Sequence, residues 1–581
     1  MKDFLQFKTQ TFSYIIVFLF FSLLSYLFFA VGNAHLLQKF LIGDGGGDKY
    51  STVWFLAWWP HAIAHGLNPL MTQVAWSPAG YNLGKVTAMP GLALLALPFT
   101  LIGGPIVSYN IMAILTPALA AFIMFLLCHY LTQSITASLF GGYTFGFCSY
   151  EIAHSLGHMH LTAGIFLLPF LVYANLLYLN KDASSFQFIT CTVIGLVLLF
   201  GISNEIFTIY IFLTCFAFLL AYLFFAPIRY LLVKLLKLNL LAGLLAAFIL
   251  LPYLYYFFLN DNLHVMAPSH SADLLTLFIP SQLFLIANSH MIALSQQIDP
   301  NFSEQNSYLG LPLLIIIFLF WKQLGNHSYG KLLLSLFTIT LILSLGPALT
   351  IAGYKVLKFP WQNIYQIPII EYILLNRLGL FLSFLGSIIL VLWISQTKNN
   401  FFIKYGLSLL VVITLLPTFN DKHRPLIRNN ALYQPLPFFT TNLYKQYIHP
   451  GENVLLLPFG PTAPLWQALS HFYFDMPNYS IGGEMPTSFN LPIIYKLASN
   501  KPNEISNSEF IQFLEDKKIK VILVSDLVTQ RWQGLLSPLN ITPVDIGGIK
   551  IYRLGVNNND YKAFFDHFYH HDSDRFNCHL H

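Results

Sequence analysis

Long apolar segments separated by short polar ones make up most of the first 418 residues. A helix needs about 20 apolar residues to cross the hydrocarbon core of a membrane. By this measure we expect about eleven spans, near residues 12–32, 106–129, 136–151, 161–180, 186–203, 205–226, 238–258, 307–321, 331–349, 377–396 and 402–418. The first span is long for the apolar core of a signal peptide and lacks a clear cleavage site, so we interpret it as a retained anchor.

A long loop, residues 33–104, separates the first two predicted spans. Its last part, PGLALLALPFTLIG at residues 90–103, is apolar but too short to cross a membrane. We therefore expect a re-entrant or interfacial helix there.

From about residue 419 the pattern becomes that of a small α/β domain. The run VLLLP after Asn453 and the run IKVILVS at residues 519–525 are typical of buried strands. Ser506 and Glu509 have the spacing of a capping box that opens a helix, and the glycine pair at 547–548 has the position of a hairpin turn. The sequence thus predicts a mainly α polytopic transmembrane bundle over residues 1–418, an α/β domain over 419–556 and a polar, His-rich tail over 557–581.

Composition supports a membrane protein. The chain is 56% hydrophobic and only 9% charged, whereas a soluble domain has about 25% charged residues. The net charge of +5 is spread thinly, without the basic run that a nucleic-acid-binding protein needs. We therefore expect no nucleic-acid partner.

Lysine and arginine are concentrated in alternate loops, which predicts the orientation of the chain. With Lys2 and Lys8 inside, the inner loops receive most of the other cations, and the cation-free loop 259–306 lies outside. An odd number of spans then makes the α/β domain extracytoplasmic. Nine of the eleven Asp and Glu residues before residue 419 fall in outer loops or at outer span ends, so we expect the chemistry of the bundle to face outward.

The first candidate site is the motif GDGGGDKY at residues 43–50, which carries Asp44 and Asp48 on a glycine-rich backbone. Glycine lets the backbone approach a ligand closely, and carboxylates beside a membrane are often functional. A carboxylate can take a proton from an attacking hydroxyl or bind a divalent cation. Spacing alone does not separate these roles, and a glycine turn with two solvated acids is the alternative.

The second candidate is the run from Tyr150 to His160, which places Glu151, His154, His158 and His160 at the outer end of one predicted span and the start of the next. These side chains can bind a metal or a phosphate, or they can be ordinary interfacial polar residues. Glu205, at a tight outer turn, needs a partner at that depth.

The third candidate is Arg377, at the outer start of an apolar span, where a positive-inside anchor is not expected. Arginine is suited to bidentate phosphate contacts. Snorkelling, or an ion pair with Glu371, is the alternative. The chain has no Walker A motif and no dinucleotide-binding GxGxxG motif, which disfavours nucleotide-driven transport.

The pattern resembles that of the membrane-embedded GT-C glycosyltransferases, a superfamily that includes protein O-mannosyltransferases and the aminoarabinose transferases of lipid A. The matching parts are GDGGGDKY, WFLAWW, GLNPL and WSPAGYNL in the first loop, the later pieces SYLGLP and LGPAL, and the strand VLLLPFG. The resemblance implies an enzyme that uses a polyprenyl-phosphate sugar outside the cytoplasm, with catalytic acids in the first outer loop. Several members carry adjacent acids or acids one residue apart, whereas three glycines separate Asp44 from Asp48.

The resulting hypothesis is an inverting sugar transferase of a bacterial-type inner membrane, acting on a glycan, lipid or protein acceptor. Asp44 and Asp48 are the catalytic candidates, Asp44 as the base and Asp48 as a ligand of a divalent cation such as Mg²⁺ or Mn²⁺, or as an orienting group. The candidates for binding the substrate are Arg377, His158, His160, Glu151, Glu205 and Glu371. A non-enzymatic transporter of lipids or lipid-linked sugars is the alternative, although transporters often show paired halves and the chain shows no repeat; an envelope scaffold is another.

Overall fold

The computed structural model describes residues 2–30, 41–43, 48–84, 86–155, 157–259, 271–299, 301–360, 373–419, 436–477, 481, 489 and 491–555. The predicted tail 557–581 lies outside these residues. The protein is mainly α-helical with a small sheet, which confirms the predicted fold class.

Seven helices in the described part of the chain are long and apolar enough to cross a membrane: Phe12–Phe29, Pro90–Thr132, Met159–Leu179, Ser185–Ile202, Asn204–Phe224, Ala226–Ile249 and Leu375–Gln396. Three shorter apolar helices are Leu311–Leu324, Ser328–Ser344 and Phe401–Thr414. The remaining predicted span, 136–151, contains two short helices, Ile135–Gly146 and Ser149–His154. Each of the predicted apolar segments therefore contains helix.

Polar side chains mark where several of these helices begin. Ser184 forms a capping box with Gln187 at the start of Ser185–Ile202. Ser203 accepts a hydrogen bond from the backbone N–H of Ile206. Because the first N–H groups of a helix have no partner within it, such caps set the boundary of each helix.

The long helix Pro90–Thr132 is broken at Gly104. The backbone there has φ 79° and ψ 174°, outside the helical region, and Pro105 follows. Glycine adopts these dihedral angles without a steric penalty. The break separates a short helical part from a longer one, at the boundary expected between residues 103 and 106.

One predicted span lies elsewhere along the chain. The segment 238–258 was expected to be a single span, but the helix is Arg229–Ile249, and a separate helix, Leu251–Phe258, follows it. Lys234 and Lys237 are part of the longer helix, since lysine can bury its stem and keep its ammonium group in water. A count of apolar residues alone therefore starts this span too late.

The chain forms two compact units. The first comprises Met1–Leu56, Thr87–Tyr255 and His264–Arg428, and the second comprises Ala57–Val86, Tyr256–Leu263 and Asn429–His581. Other helices of the first unit include Ser289–Ile298 and the 3-10 turns Leu274–Leu277, Phe302–Glu304 and Leu375–Leu378. A hairpin, Ala348–Ile351 with Tyr354–Lys358, also belongs to it.

The second unit contains a four-stranded sheet. Its strand order is Val454–Leu457, Val521–Ser525, Ile549–Arg553, Val544–Ile546. The first two strands are parallel and wholly buried, and the other pairs are antiparallel. The helices of this unit that follow the bundle are Pro437–Thr440, Tyr444–Tyr447, Ala463–Leu469, Pro492–Ala498, Asn507–Asp516 and Thr529–Leu536.

The strand and hairpin predictions for this region are confirmed, whereas only one half of the predicted capping box is present. Both apolar runs form strands, and the glycine pair 547–548 joins two antiparallel strands. Ser506 caps its helix by accepting from the N–H of Glu509 at 3.2 Å. The carboxylate of Glu509 instead accepts from Nζ of Lys496 at 2.9 Å.

A segment of the first predicted loop is part of the second unit. Met71–Thr72 pairs with Tyr81–Asn82 in a two-residue ribbon. Between these strands, the carbonyl of Val74 accepts from the N–H of Met476 at 2.9 Å and from Nε2 of Gln467 at 2.7 Å. These bonds tie a segment near residue 74 to residues that follow it by almost 400 positions.

Candidate functional site

Asp48 is the first residue of the helix Asp48–Ala64, where the positive end of the helix dipole stabilises a carboxylate. Its side chain is 54% exposed, and its Oδ2 lies 3.2 Å from Nε2 of His158. The second acid of the glycine-rich motif is therefore in contact with the second candidate run. Asp44 lies outside the described residues.

His158 lies just before the short helix Met159–Thr162 and after the helix Ser149–His154. Although the helix ends at His154, the two histidine rings meet, with 3.4 Å between their Nδ1 atoms. On the other side of the ring, Nε2 of His154 lies 3.0 Å from Nδ2 of Asn306. Both His154 and Asn306 are fully buried.

These contacts fix one direction of hydrogen bonding along a row formed by Asn306, His154, His158 and Asp48. The amide of Asn306 donates to Nε2 of His154, so the proton of that ring is on Nδ1. Nδ1 donates in turn to His158, whose own proton is then on Nε2 and points to the carboxylate of Asp48.

Arg377 is the centre of a second group of charged side chains. Its guanidinium donates to the carboxylate of Glu205, and its Nη2 lies 3.4 Å from Oε1 of Glu304. Asn376 donates to the other oxygen of Glu304 at 2.9 Å, and the N–H of Leu374 donates to Oε1 of Glu205 at 2.9 Å. Each carboxylate thus has two donors, as buried charges require.

One nitrogen of the Arg377 guanidinium, Nε, makes no hydrogen bond to a described residue. This nitrogen is also buried. An unused buried N–H is unfavourable by about 1–3 kcal/mol. An oxygen of a bound ligand would satisfy it.

The polar run SEQNS at residues 303–307 connects the two groups. Glu304 belongs to the group around Arg377, and Asn306 belongs to the histidine row. Ser307 donates to the backbone carbonyl of Asn376 at 3.3 Å. From the sequence, Glu304 could be placed among the outer acids without a role, and Asn306 was not a candidate. The signal that could have identified both is a polar run between apolar segments.

The remaining candidate residues differ in how close they lie to the histidine row and to the group around Arg377. His160 lies near His158, with 6.1 Å between ring centroids. Glu151 is buried, and neither of its carboxylate oxygens has a hydrogen-bond partner among the described residues. Glu371 lies outside the described residues.

A divalent cation has only partial support from the side chains present. Asp48 and His158 are two adjacent ligand types, but no group of three or more His, Cys, Asp or Glu side chains in the described residues is arranged to hold a metal. Mg²⁺ and Mn²⁺ also favour oxygen ligands over imidazole. Asp48 and His158 alone therefore do not form a complete site for a divalent cation.

A polar pocket adjoins the group around Arg377. It has a volume of about 230 Å³ and is lined by Glu304 together with Asp273, Asp299 and Lys355. Asp273 has a structural role, since its carboxylate accepts from the N–H groups of the hairpin turn 352–353 at 3.1 and 2.8 Å. A larger pocket of about 740 Å³ is apolar, and none of the site residues lines it.

Comparison with solved structures identifies the fold. An arabinofuranosyltransferase, AftD from Mycobacteria, matches with a TM-score of 0.57 and 13% identity over 94% of this chain and 40% of that chain. The oligosaccharyltransferase of Archaeoglobus fulgidus matches in its apo form with a TM-score of 0.54 and 12% identity over 89% of this chain and 70% of that chain. The same enzyme tethered to an acceptor peptide matches with a TM-score of 0.50 and 12% identity, over 89% and 69% of the two chains.

No protein-family model and no curated protein sequence matches the chain. The structural matches nevertheless extend over most of its length, although it spans only 40% of the AftD chain. The chain therefore has the fold of the GT-C membrane glycosyltransferases.

Proposed function

We propose that the protein is a membrane glycosyltransferase that moves a sugar from a polyprenyl-phosphate donor to an acceptor outside the cytoplasm. The observation that carries this proposal is the contact of Asp48 with the histidine row, within the same compact unit as Arg377. This arrangement supplies groups for proton transfer and a cation for a phosphate. The GT-C fold supports the general reaction class.

The donor is assigned from the charge and position of the site. The side chain of Arg377 is 12% exposed and stands at the start of an apolar helix, the position at which we propose that the lipid-linked phosphate binds. Its free Nε–H suits a phosphate oxygen, and arginine is well matched to that geometry. Because no nucleotide sugar is expected outside the cytoplasm, a lipid carrier supplies the activated leaving group.

In the proposed reaction, Asp44 takes the proton from a hydroxyl group of the acceptor. The hydroxyl oxygen forms a bond to the anomeric carbon, and the bond between that carbon and the phosphate oxygen breaks. Polyprenyl phosphate leaves with its negative charge facing Arg377. A single displacement of this kind inverts the anomeric centre.

In this proposal Asp48, which follows Asp44 closely in the chain, has a positioning role. Nε2 of His158 lies 3.2 Å from the carboxylate of Asp48 and can donate a hydrogen bond to it. Asp48 is then available to orient the acceptor or to bind a divalent cation.

The test compares acid variants of the purified protein in lipid vesicles supplied with a panel of polyprenyl-phosphate sugars. We expect Asp44→Asn to bind a donor normally but to release polyprenyl phosphate about 10²–10⁴ times more slowly. Asp48→Asn should reduce any dependence on a divalent cation. Arg377→Ala should weaken donor binding.

Glu515→Gln provides a matched control, because it removes one carboxylate from an exposed position in the second unit. This variant should keep the rate of the unmodified protein. Near-normal transfer by Asp44→Asn would assign the base to another acid, with Asp48 and Glu151 next. Normal activity in Asp44→Asn, Asp48→Asn and Arg377→Ala together would refute the proposed function.

A further inference from the structure

A second pocket, of about 500 Å³, lies within the second unit at the carboxyl ends of its two parallel strands. The loop 458–462, which follows the strand Val454–Leu457, forms one side of it. Residues 527–531, which follow the strand Val521–Ser525, form the other. Ligands of α/β folds commonly bind at the carboxyl ends of parallel strands, and the volume is within the range of about 300–1,000 Å³ that is typical of small-molecule sites.

Two polar atoms in the lining are buried without a partner. Thr462 is only 2% exposed, and its Oγ1 makes no hydrogen bond within the described residues. Oδ1 of Asn500 is likewise buried and unpartnered in that part of the chain. Native proteins leave few buried polar atoms unsatisfied, so these two indicate a ligand with hydroxyl groups.

The charge at the pocket is positive. Arg531 is the one charged residue among the described residues that line it. The helix Thr529–Leu536 also begins here and has no side-chain cap, so the positive end of its dipole lies at the pocket. The nearest acid in sequence, Asp526, lies 3.9 Å from Nζ of Lys550, which offsets its charge.

The remaining surface is apolar. Leu527 closely follows the buried strand Val521–Ser525, yet its side chain is 57% exposed at the rim of the pocket. Phe459 and Pro461 add further apolar surface from the opposite loop. Such surface packs against the C–H face of a sugar ring, while the polar groups contact its hydroxyls.

We infer that this pocket binds an anionic saccharide, meaning a sugar that carries a carboxylate or a phosphate group. Arg531 and the helix end contact the anionic group, Thr462 and Asn500 contact hydroxyls, and Leu527 packs against the ring. The further identification of this saccharide as part of the acceptor rests on the proposed function. Binding in the pocket does not depend on it.

The experiment measures binding to the full-length protein in detergent by titration calorimetry. The probes are glucuronic acid, glucose 6-phosphate, glucose and inorganic phosphate. We expect the two charged sugars to bind at least tenfold more tightly than glucose and than inorganic phosphate. The sugar that binds more tightly identifies the anionic group as a carboxylate or a phosphate.

Arg531→Gln should weaken binding of the charged sugars about tenfold to a hundredfold, as expected for loss of a charge-assisted hydrogen bond. The affinity for glucose should not change. Thr462→Val, which keeps the side-chain shape, should weaken the binding of all three sugars. Lys520→Gln is the matched control, because it removes one exposed cation at the opposite, amino-terminal end of the strand Val521–Ser525. It should change none of the affinities.

Equal binding of charged sugars by Arg531→Gln and the unmodified protein would overturn the inference, as would the absence of binding by any sugar. Inorganic phosphate binding as tightly as glucose 6-phosphate would also overturn it, because the pocket would then recognise only an anion. Asp44→Asn should retain saccharide binding. A protein that binds these sugars but transfers none from any donor would refute the proposed function and leave the pocket assignment intact.

Discussion

At the scale of single residues, the buried amide of Asn306 determines where the protons lie at the site. Asn306 and His154 are separated by 152 positions in the chain, yet their side chains are in contact. An amide nitrogen can only donate, whereas an imidazole nitrogen can donate or accept. The amide therefore selects one arrangement of protons that extends to Asp48.

His61, in the second unit, provides a prediction about pH. Its ring lies 4.2 Å from that of His65 and 4.7 Å from that of Phe472, measured between centroids. Burial, followed by the charges of His65 and His471, lowers the pKa of His61 to about 4. The ordinary pKa of histidine is 6.5, so as the pH falls this residue takes up a proton in the unfolded chain before it does so in the folded protein. The free energy of unfolding should therefore decrease as the pH drops from about 6.5 towards 4.

The corresponding measurement is the melting temperature of the full-length protein between pH 7.5 and pH 4.5. His61→Phe keeps an aromatic ring against Phe472 and removes the titrating group, so its melting temperature should fall less over this range. His290→Phe, at an exposed position in the first unit, should follow the unmodified protein. If the melting temperature of His61→Phe fell as much as that of the unmodified protein, His61 would not be the titrating group.

At the scale of helices and strands, apolar runs and turn residues were sufficient to predict most elements. Three features were predictable because each follows from local backbone chemistry: the capping serine at 506, the glycine pair at 547–548 and the break near residue 104. The helix that begins at Arg229 was not, since Lys234 and Lys237 make its first turns look polar. Their position within a helix depends on surroundings that a count of apolar residues omits.

Gly104 allows a direct test of the helix break. A Cβ atom at this position would have nothing within 4 Å, so Gly104→Ala adds backbone strain without a clash. The φ and ψ angles of this residue are accessible essentially only to glycine, and strain of this kind destabilises by about 1–3 kcal/mol. The variant should therefore melt at a lower temperature.

Gly243→Ala is the matched control, because a Cβ atom there also has open space but the backbone is within the helix Arg229–Ile249. Alanine in a helix interior is favoured over glycine by about 0.5–1 kcal/mol, so this variant should melt at a higher temperature. Thermal unfolding in one detergent compares the two. Shifts in the same direction would show that the dihedral angle of Gly104 has no special role.

The candidate site combines residues that the sequence singles out with contacts that it does not reveal. Asp48, His158 and Arg377 could be proposed from residue type and from their location near span ends. The pairing of Arg377 with Glu205 and Glu304 was not predictable, because these acids precede it by 172 and 73 positions. Which distant polar groups meet depends on how the helices pack, and one sequence does not contain that information in a local form.

At the scale of the whole molecule, the distribution of charge predicts an orientation. Lys234 should lie in the cytoplasm and residue 440 outside it, as the positive-inside rule requires. Fusions of a reporter that is active on only one side of the membrane, placed at these two positions, measure this. A cytoplasmic signal at residue 440 would exclude both the orientation and an outward-facing site.

The second unit should need its early segment for full stability. A fragment that begins at residue 429 lacks Val74, whose carbonyl accepts from Met476 and Gln467. Each hydrogen bond contributes about 0.5–1.5 kcal/mol, so joining residues 57–86 to the fragment by a flexible linker should raise its melting temperature by several degrees. A scrambled 57–86 segment is the control, and equal melting of the two fragments would contradict the prediction.

The origin of the second unit in three separate segments also bears on its biosynthesis. The segment around Val74 leaves the ribosome long before Gln467 and Met476 exist, with about 400 residues still to be added. At roughly 5–20 residues per second this takes roughly 20–80 s. During that time the buried ring of Trp76 has no partner from the carboxyl-terminal segment to cover it. Completion of the unit is therefore a late event, and a chain truncated before residue 467 would display an apolar loop that chaperones and proteases recognise.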